Sequence, residues 1–180
     1  APELDWDNLS TVIIGSSLEE PTFHRAQASH YNVMVQTLSI LQSRNYKKPC
    51  LLVRSDAEKR MLRAYTAAFL AWGYPEAHVW HATTPNSAGL NQWIKNIQPD
   101  VIIADWDSWF DYIQPDIASG FVSLAVRDDK GPITGIYQNT ERIAKGAIDL
   151  LVRARLTHDV GSPVVPILML TAGKWIEGKT

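Results

Sequence analysis

Four polar clusters stand where apolar runs stop, and they hold the side chains best suited to chemistry. They are Gly15-Ser16-Ser17, Arg54-Ser55-Asp56, Asp105-Trp106-Asp107 and Arg127-Asp128-Asp129. A carboxylate such as Asp105 or Asp128 can accept two hydrogen bonds from a vicinal diol. A tryptophan such as Trp106 or Trp109 can stack on the apolar face of a sugar ring. That chemistry is recognition of a small polar molecule. Each residue also has a plainer reading. Asp128 can be a solvated turn acid before Gly131-Pro132, and Asp107 a helix N-cap. With seven tryptophans in 180 residues some must be structural, so Trp106 and Trp109 can be core aromatics or dimer anchors.

The signatures of catalysis are missing from the sequence. It contains no Gly-x-Ser-x-Gly elbow, no Gly-x-Gly-x-x-Gly loop and no phosphate-binding Gly-Lys-Ser/Thr loop. His78 and His81 are three apart on an expected strand, so they face opposite sides and share a metal poorly. Asp105, Asp107 and Asp128 could still form a cation site or an acid–base pair. The expectation is a non-enzyme with no cofactor and no metal.

Composition sets wider bounds. The chain is 46% apolar and 20% charged, which fits a globular protein with a core of its own. Net charge is −2 and no basic stripe is visible, which argues against direct nucleic-acid binding. No run of 18 apolar residues is present, so no membrane helix is expected. The first residues show no basic segment followed by an apolar run, so no secretory leader is expected. The single cysteine, Cys50, opens the run CLLV and reads as a buried small hydrophobe in a reducing compartment. A cytoplasmic location follows as the expectation.

The elements that must position these clusters alternate. Strands are expected at residues 11–15, 49–53, 77–81, 101–104, 121–126, 133–137 and 164–170. Pro166 places the last of them near an edge. Helices are expected at 31–44, 58–72, 86–97 and 140–156, with a short one after Asp107. The alternation calls for an α/β fold with a mainly parallel sheet and helices on both faces. Ligands in such sheets bind at the carboxyl ends of the strands, which is where the four clusters fall.

Residues 121–156 carry a resemblance. They read FVSLAVRDD, KGPITGIYQN and TERIAKGAIDLLVRARL. The order of strand with terminal acids, loop, second extended run and helix resembles the effector-binding domain of LacI-type bacterial transcriptional regulators. VIIGSS, RNYKKPCLLV, AYTAAFLAWG, PDVIIADWD and MLTAGKWIEG resemble further segments of that family in the same order, so the likeness covers nearly the whole chain.

The resemblance implies a type I periplasmic-binding-protein-like fold with Rossmann-like lobes joined by three crossings. The crossings fall near Ser29-His30, Tyr137-Gln138 and Met169-Leu170. Residues 31–136 would form the C-terminal lobe, residues 1–30 and 137–170 a partial N-terminal lobe, and residues 171–180 a tail. The second lobe is then incomplete, and the chain reads as a C-terminal piece of a longer regulator with its helix-turn-helix absent.

The resemblance also implies ligand contacts. Asp128 stands where the family has an acid that grips ligand hydroxyls or ring nitrogens. Ser16 and Ser17 replace the family's acid after the first strand. Met61 takes the place of a family arginine, and Arg54 or Arg60 could supply that cation, although Arg60 and Arg63 can equally be surface residues. His30 and Gln138 fall at crossings and read as hinge residues. His24 could bind a ligand or stabilise the hinge. The implied function is sensing a small-molecule effector, such as a sugar, within a homodimer that contacts DNA through the absent domain. A related reading is an extracytoplasmic sugar-binding receptor, which shares the fold.

Overall fold

A computed structural model describes residues 4–85, 88–114, 117 and 119–180. The chain forms two compact units, Ala1–Ser29 with Asn139–Ala172, and His30–Gln138 with Gly173–Thr180. It passes from one unit to the other three times.

The larger unit is built on six strands, the central ones being apolar runs too continuous to face water on either side. They are β3 (Pro49–Arg54), β4 (Val79–Ala82), β5 (Val101–Ala104), β6 (Gly120–Val126), β7 (Gly135–Tyr137) and β9 (Lys174–Ile176), ordered β4-β3-β5-β6-β7-β9. All neighbours are parallel except β9, which runs antiparallel to β7. Side chains alternate between two cores. Leu51, Val53, Val101, Ile103, Val122 and Leu124 face α1 (His30–Ser43) and α3 (Ala64–Ala71). Cys50, Leu52, Ile102, Ala104 and Phe121 pack with Trp109 and with α4 (Leu90–Ile97). The α/β class with helices on both faces of a mainly parallel sheet is therefore what the chain adopts. Gly135 allows β7 to lie close to β6, because a Cβ there would fall on the Ser123 carbonyl oxygen.

The smaller unit has three parallel strands, β1 (Val12–Ile14), β2 (His24–Ala28) and β8 (Leu168–Thr171), ordered β1-β2-β8. The helix α5 (Thr140–Leu156) covers one face, packing Ile143, Ala147 and Leu150 on Val12, Ala26, Ala28 and Met169. On the other face Leu168 and Leu170 are exposed. β8 is an edge strand, as expected from Pro166 just before it.

Several elements differ from the sequence expectation. The helix expected at 58–72 is two helices, α2 (Ser55–Arg60) and α3, separated by Leu62 and Arg63 in the left-handed region. The cause is Glu58. Its buried carboxylate accepts from the backbone N–H groups of Tyr65 and Thr66 at 3.3 Å each, and from the Thr66 hydroxyl. It thus caps α3 from outside, where the helix dipole favours negative charge. Leu62, expected on the inner face, is 89% exposed as a result.

β2 was expected only as a connection to the first helix. His78 lies in a 3-10 turn before β4 and meets the Pro49 carbonyl at 3.1 Å, while His81 is on β4. The start of the helix expected from Asn86 lies outside the described residues. Residues 174–176, expected in a tail, form β9. Among the described residues no helix is long and apolar enough to cross a membrane, and no group of three His, Cys, Asp or Glu could hold a metal.

Candidate functional site

Because β3, β5 and β6 are adjacent and parallel, their carboxyl ends bring Arg54, Asp105, Trp106 and Arg127 to one edge of the larger sheet. Asp105 anchors this edge. Its side chain is fully buried. Oδ2 accepts from the Arg54 backbone N and from Arg54 Nε, both at 3.0 Å, and Oδ1 accepts from Trp109 Nε1 at 2.6 Å. A buried carboxylate is tolerable when paired and hydrogen-bonded in this way.

The same bonds correct one expectation. The side chain of Asp105 is fully buried with its oxygens turned inward, so it positions Arg54 and is not presented to a ligand diol. Trp109 is corrected too: it is 0% exposed, with its indole N–H spent on Asp105, and belongs to the core.

Trp106 is half-buried at the edge, and two guanidiniums lie over its ring. Arg54 Cζ is 4.7 Å and Arg127 Cζ 4.8 Å from the ring centroid, within cation–π range. Arg127 Nε also faces Asp107 Oδ1 at 3.3 Å. Asp107 is thus an ion-pair partner and not an N-cap; the cap position of its 3-10 turn is Trp106, with no side-chain cap bond. Sequence reasoning quoted Arg127 in a cluster but did not single it out. The signal was its place at a strand end beside two acids.

The remaining expected contacts are scattered. Asp128 is exposed, and its Oδ1 accepts from Lys130 N at 2.9 Å, the geometry of a turn acid. Arg60 pairs with Asp56 at 3.1 Å along α2, so it takes the surface alternative. Ser16 is in the smaller unit, half-buried in the loop after β1. That loop is held by the Arg25 guanidinium, which donates to the Gly15 and Leu18 carbonyls. His24 is occupied within the same unit. Its Nδ1 accepts from Ile167 N at 2.8 Å, so Nε2 carries the proton and donates to Asp159 at 2.8 Å.

His30 and Gln138 meet through Tyr65, a residue read from the sequence only as part of an apolar helix face. Gln138 Nε2 donates to the Tyr65 hydroxyl oxygen and to the Leu124 carbonyl, both at 3.1 Å. The phenolic proton is left for His30 Nδ1, 3.0 Å away. His30 must then carry its own proton on Nε2, which is buried and finds no hydrogen-bond partner among the described residues. Burial lowers the His30 pKa to about 4, so the ring is neutral near pH 7. Burial also pushes the Tyr65 phenol up, and the carboxylates of Asp105 and Glu58 add to that effect. The Tyr65 triad therefore lies within electrostatic reach of the arginine edge. A separate cavity of about 520 Å³, lined by Lys95, Gln98, Asp100 and Ser119 among others, sits by the opposite, amino-terminal ends of β5 and β6.

The chain shares its fold with LacI-family transcriptional regulators. The transcriptional regulator CelR in complex with cellobiose is 18% identical, with a TM-score of 0.65 over 92% of this chain and 57% of the regulator. CcpA of Lactococcus lactis is 13% identical, with a TM-score of 0.65 over 93% of this chain and 68% of that one. A LacI-family regulator from Enterococcus faecium with bound ribose is 9% identical, with a TM-score of 0.60 over 92% and 68%. The chain thus spans about three-fifths to two-thirds of the length of these neighbours. No family model and no curated protein matches the sequence.

Proposed function

We propose that this chain is the ligand-sensing part of a LacI-like transcriptional regulator and that it binds a carbohydrate or related small polar metabolite. The observation that carries the reading is the strand-end cluster of Arg54, Trp106 and Arg127, set on a fold shared with transcriptional regulators. The structures of CelR and of the Enterococcus faecium regulator, with cellobiose and ribose, make a sugar the first class to try here.

In this reading Arg54, Trp106 and Asp128 touch the ligand, and Asp105 and Trp109 hold Arg54 in place. Ser16 and Arg60 are peripheral. Residues 31–136 act as one lobe, and residues 1–30 with 137–170 as part of the other, with His30 and Gln138 as hinge residues. A ligand that binds one conformation better shifts the population toward it. The shift would reach DNA through a helix-turn-helix outside this sequence, in a cytoplasmic homodimer. Catalysis has no part in this reading.

The test is a thermal-shift screen against sugars, sugar acids, sugar phosphates and nucleobases. A ligand present at about a hundred times its dissociation constant adds roughly 2.7 kcal/mol of stability. A sugar-class hit supports the reading. A well-folded protein that responds to none of them overturns it.

A further inference from the structure

We infer that the ligand taken at the arginine edge carries an anionic group, a carboxylate or a phosphate ester, gripped by Arg54 and Arg127 together. The inference rests on the ligand-sensing reading above and names its ligand class. Arg54 and Arg127 belong to different strands, yet both guanidiniums lie against the one ring of Trp106. Their central carbons can be no farther apart than the sum of those two ring distances. Each points its Nε at an aspartate just past β5: Arg54 hydrogen-bonds Asp105, and Arg127 forms an ion pair with Asp107. No hydrogen bond to the terminal nitrogens of either is found among the described residues. A guanidinium has five N–H donors, and the terminal pair is the one that grips carboxylate or phosphate bidentately.

Acceptors at the edge are scarce by comparison. Asp105 is buried and already accepts three hydrogen bonds, Asp107 Oδ1 is buried in its ion pair with Arg127, and exposed Asp128 has its Oδ1 taken by Lys130 N. A neutral sugar needs acceptors as well as donors, because each hydroxyl donates one bond. A site with two guanidinium forks and acceptors that are mostly buried matches a group that only accepts. Trp106 contributes by fixing the plane of both forks, so less conformational freedom is lost on binding.

Calorimetric titration of the protein with pentoses and hexoses tests this, each offered as the neutral sugar, the aldonate and the monophosphate at matched ionic strength. The expected result is one anionic form binding at least about tenfold tighter than its neutral parent. Which form wins separates carboxylate from phosphate. Arg127→Gln should remove most of that preference, lowering the affinity of the anionic form far more than that of its neutral parent, with the melting temperature unchanged because the Arg127 side chain is 63% exposed. A neutral sugar that binds as tightly as its anionic forms overturns the inference and leaves the sensor reading standing. So does an anionic preference that survives Arg127→Gln. No binding by any form overturns the sensor reading and this inference with it.

Discussion

Parallel strand pairing dominates both sheets, yet only the larger has helices on both faces. In the larger unit, β3 and β5 are flanked by strands and sandwiched between α1 and α3 on one side and α4 on the other, so every residue of β5 is buried. In the smaller unit α5 covers one face, and Leu168 and Leu170 stand exposed on the other. Burial on both faces is what makes a strand end a rigid platform, since neither side chain row can shift without opening a core. The arginine edge is mounted on such strands. The Ser16 loop is mounted on β1, an edge strand of the half-covered sheet. The difference separates the candidate contacts more sharply than residue type did.

The largest effects should come from breaking the platform. Asp105→Ala removes a buried charge partner and strands Arg54 and the Trp109 indole; losses of about 3–5 kcal/mol follow for such sites. Asp107→Ala removes a partner from an arginine that is mostly in water, and about 1 kcal/mol or less is expected. Equal losses in urea unfolding would erase the distinction between a buried and an exposed arm. Next, Ile103→Ala in β5 should cost about 2–5 kcal/mol, whereas Leu170→Ala in β8 should cost within about 0.5 kcal/mol. A comparable cost at Leu170 would show that its face of the small sheet is covered in solution.

A smaller effect is expected at the hydrogen-bonded triad of His30, Tyr65 and Gln138. His30 has a pKa of about 4 in the folded chain, against 6.5 when unperturbed. Between those values the unfolded chain binds a proton that the folded chain refuses, so stability falls as pH falls through this window. The full difference corresponds to roughly 3 kcal/mol below pH 4, and less in practice because the ring is only partly shielded. His30→Gln should flatten stability between about pH 6.5 and 4.5, measured by denaturant midpoint. An unchanged slope would place the acid sensitivity elsewhere.

How much of this was readable without coordinates depended on where each cause lies. β3 and β5 were legible because PCLLV and VIIA are continuous apolar runs, and the 17-residue α5 because its apolar stripe is long. β2 was not, because HRAQA has no β-branched residue and its alternate alanines give a weak pattern. The break between α2 and α3 was hidden because a periodic apolar face continued through it. What ended the helix was a carboxylate folding back on the next turn. The polar clusters do stand at strand ends, as their place after apolar runs implied, but the pairings among them were not legible. Asp105 and Trp109 attracted notice as a carboxylate and an indole near a strand end. Their pairing with each other, which withdraws both from solvent, depends on the path of the turn that follows β5. Arg127 gained its importance from Trp106, which lies just past the end of the neighbouring strand β5.

Cys50 lies at 0% exposure in β3, and burial pushes its thiol well above the usual range. It is the only cysteine in the sequence. Because the thiolate is the reacting form, an alkylating reagent meets it only when the larger sheet opens. The molecule therefore carries its own clock. The rate at which this sulfur is labelled counts the openings of the platform that holds the arginines and is silent to fraying of the smaller sheet.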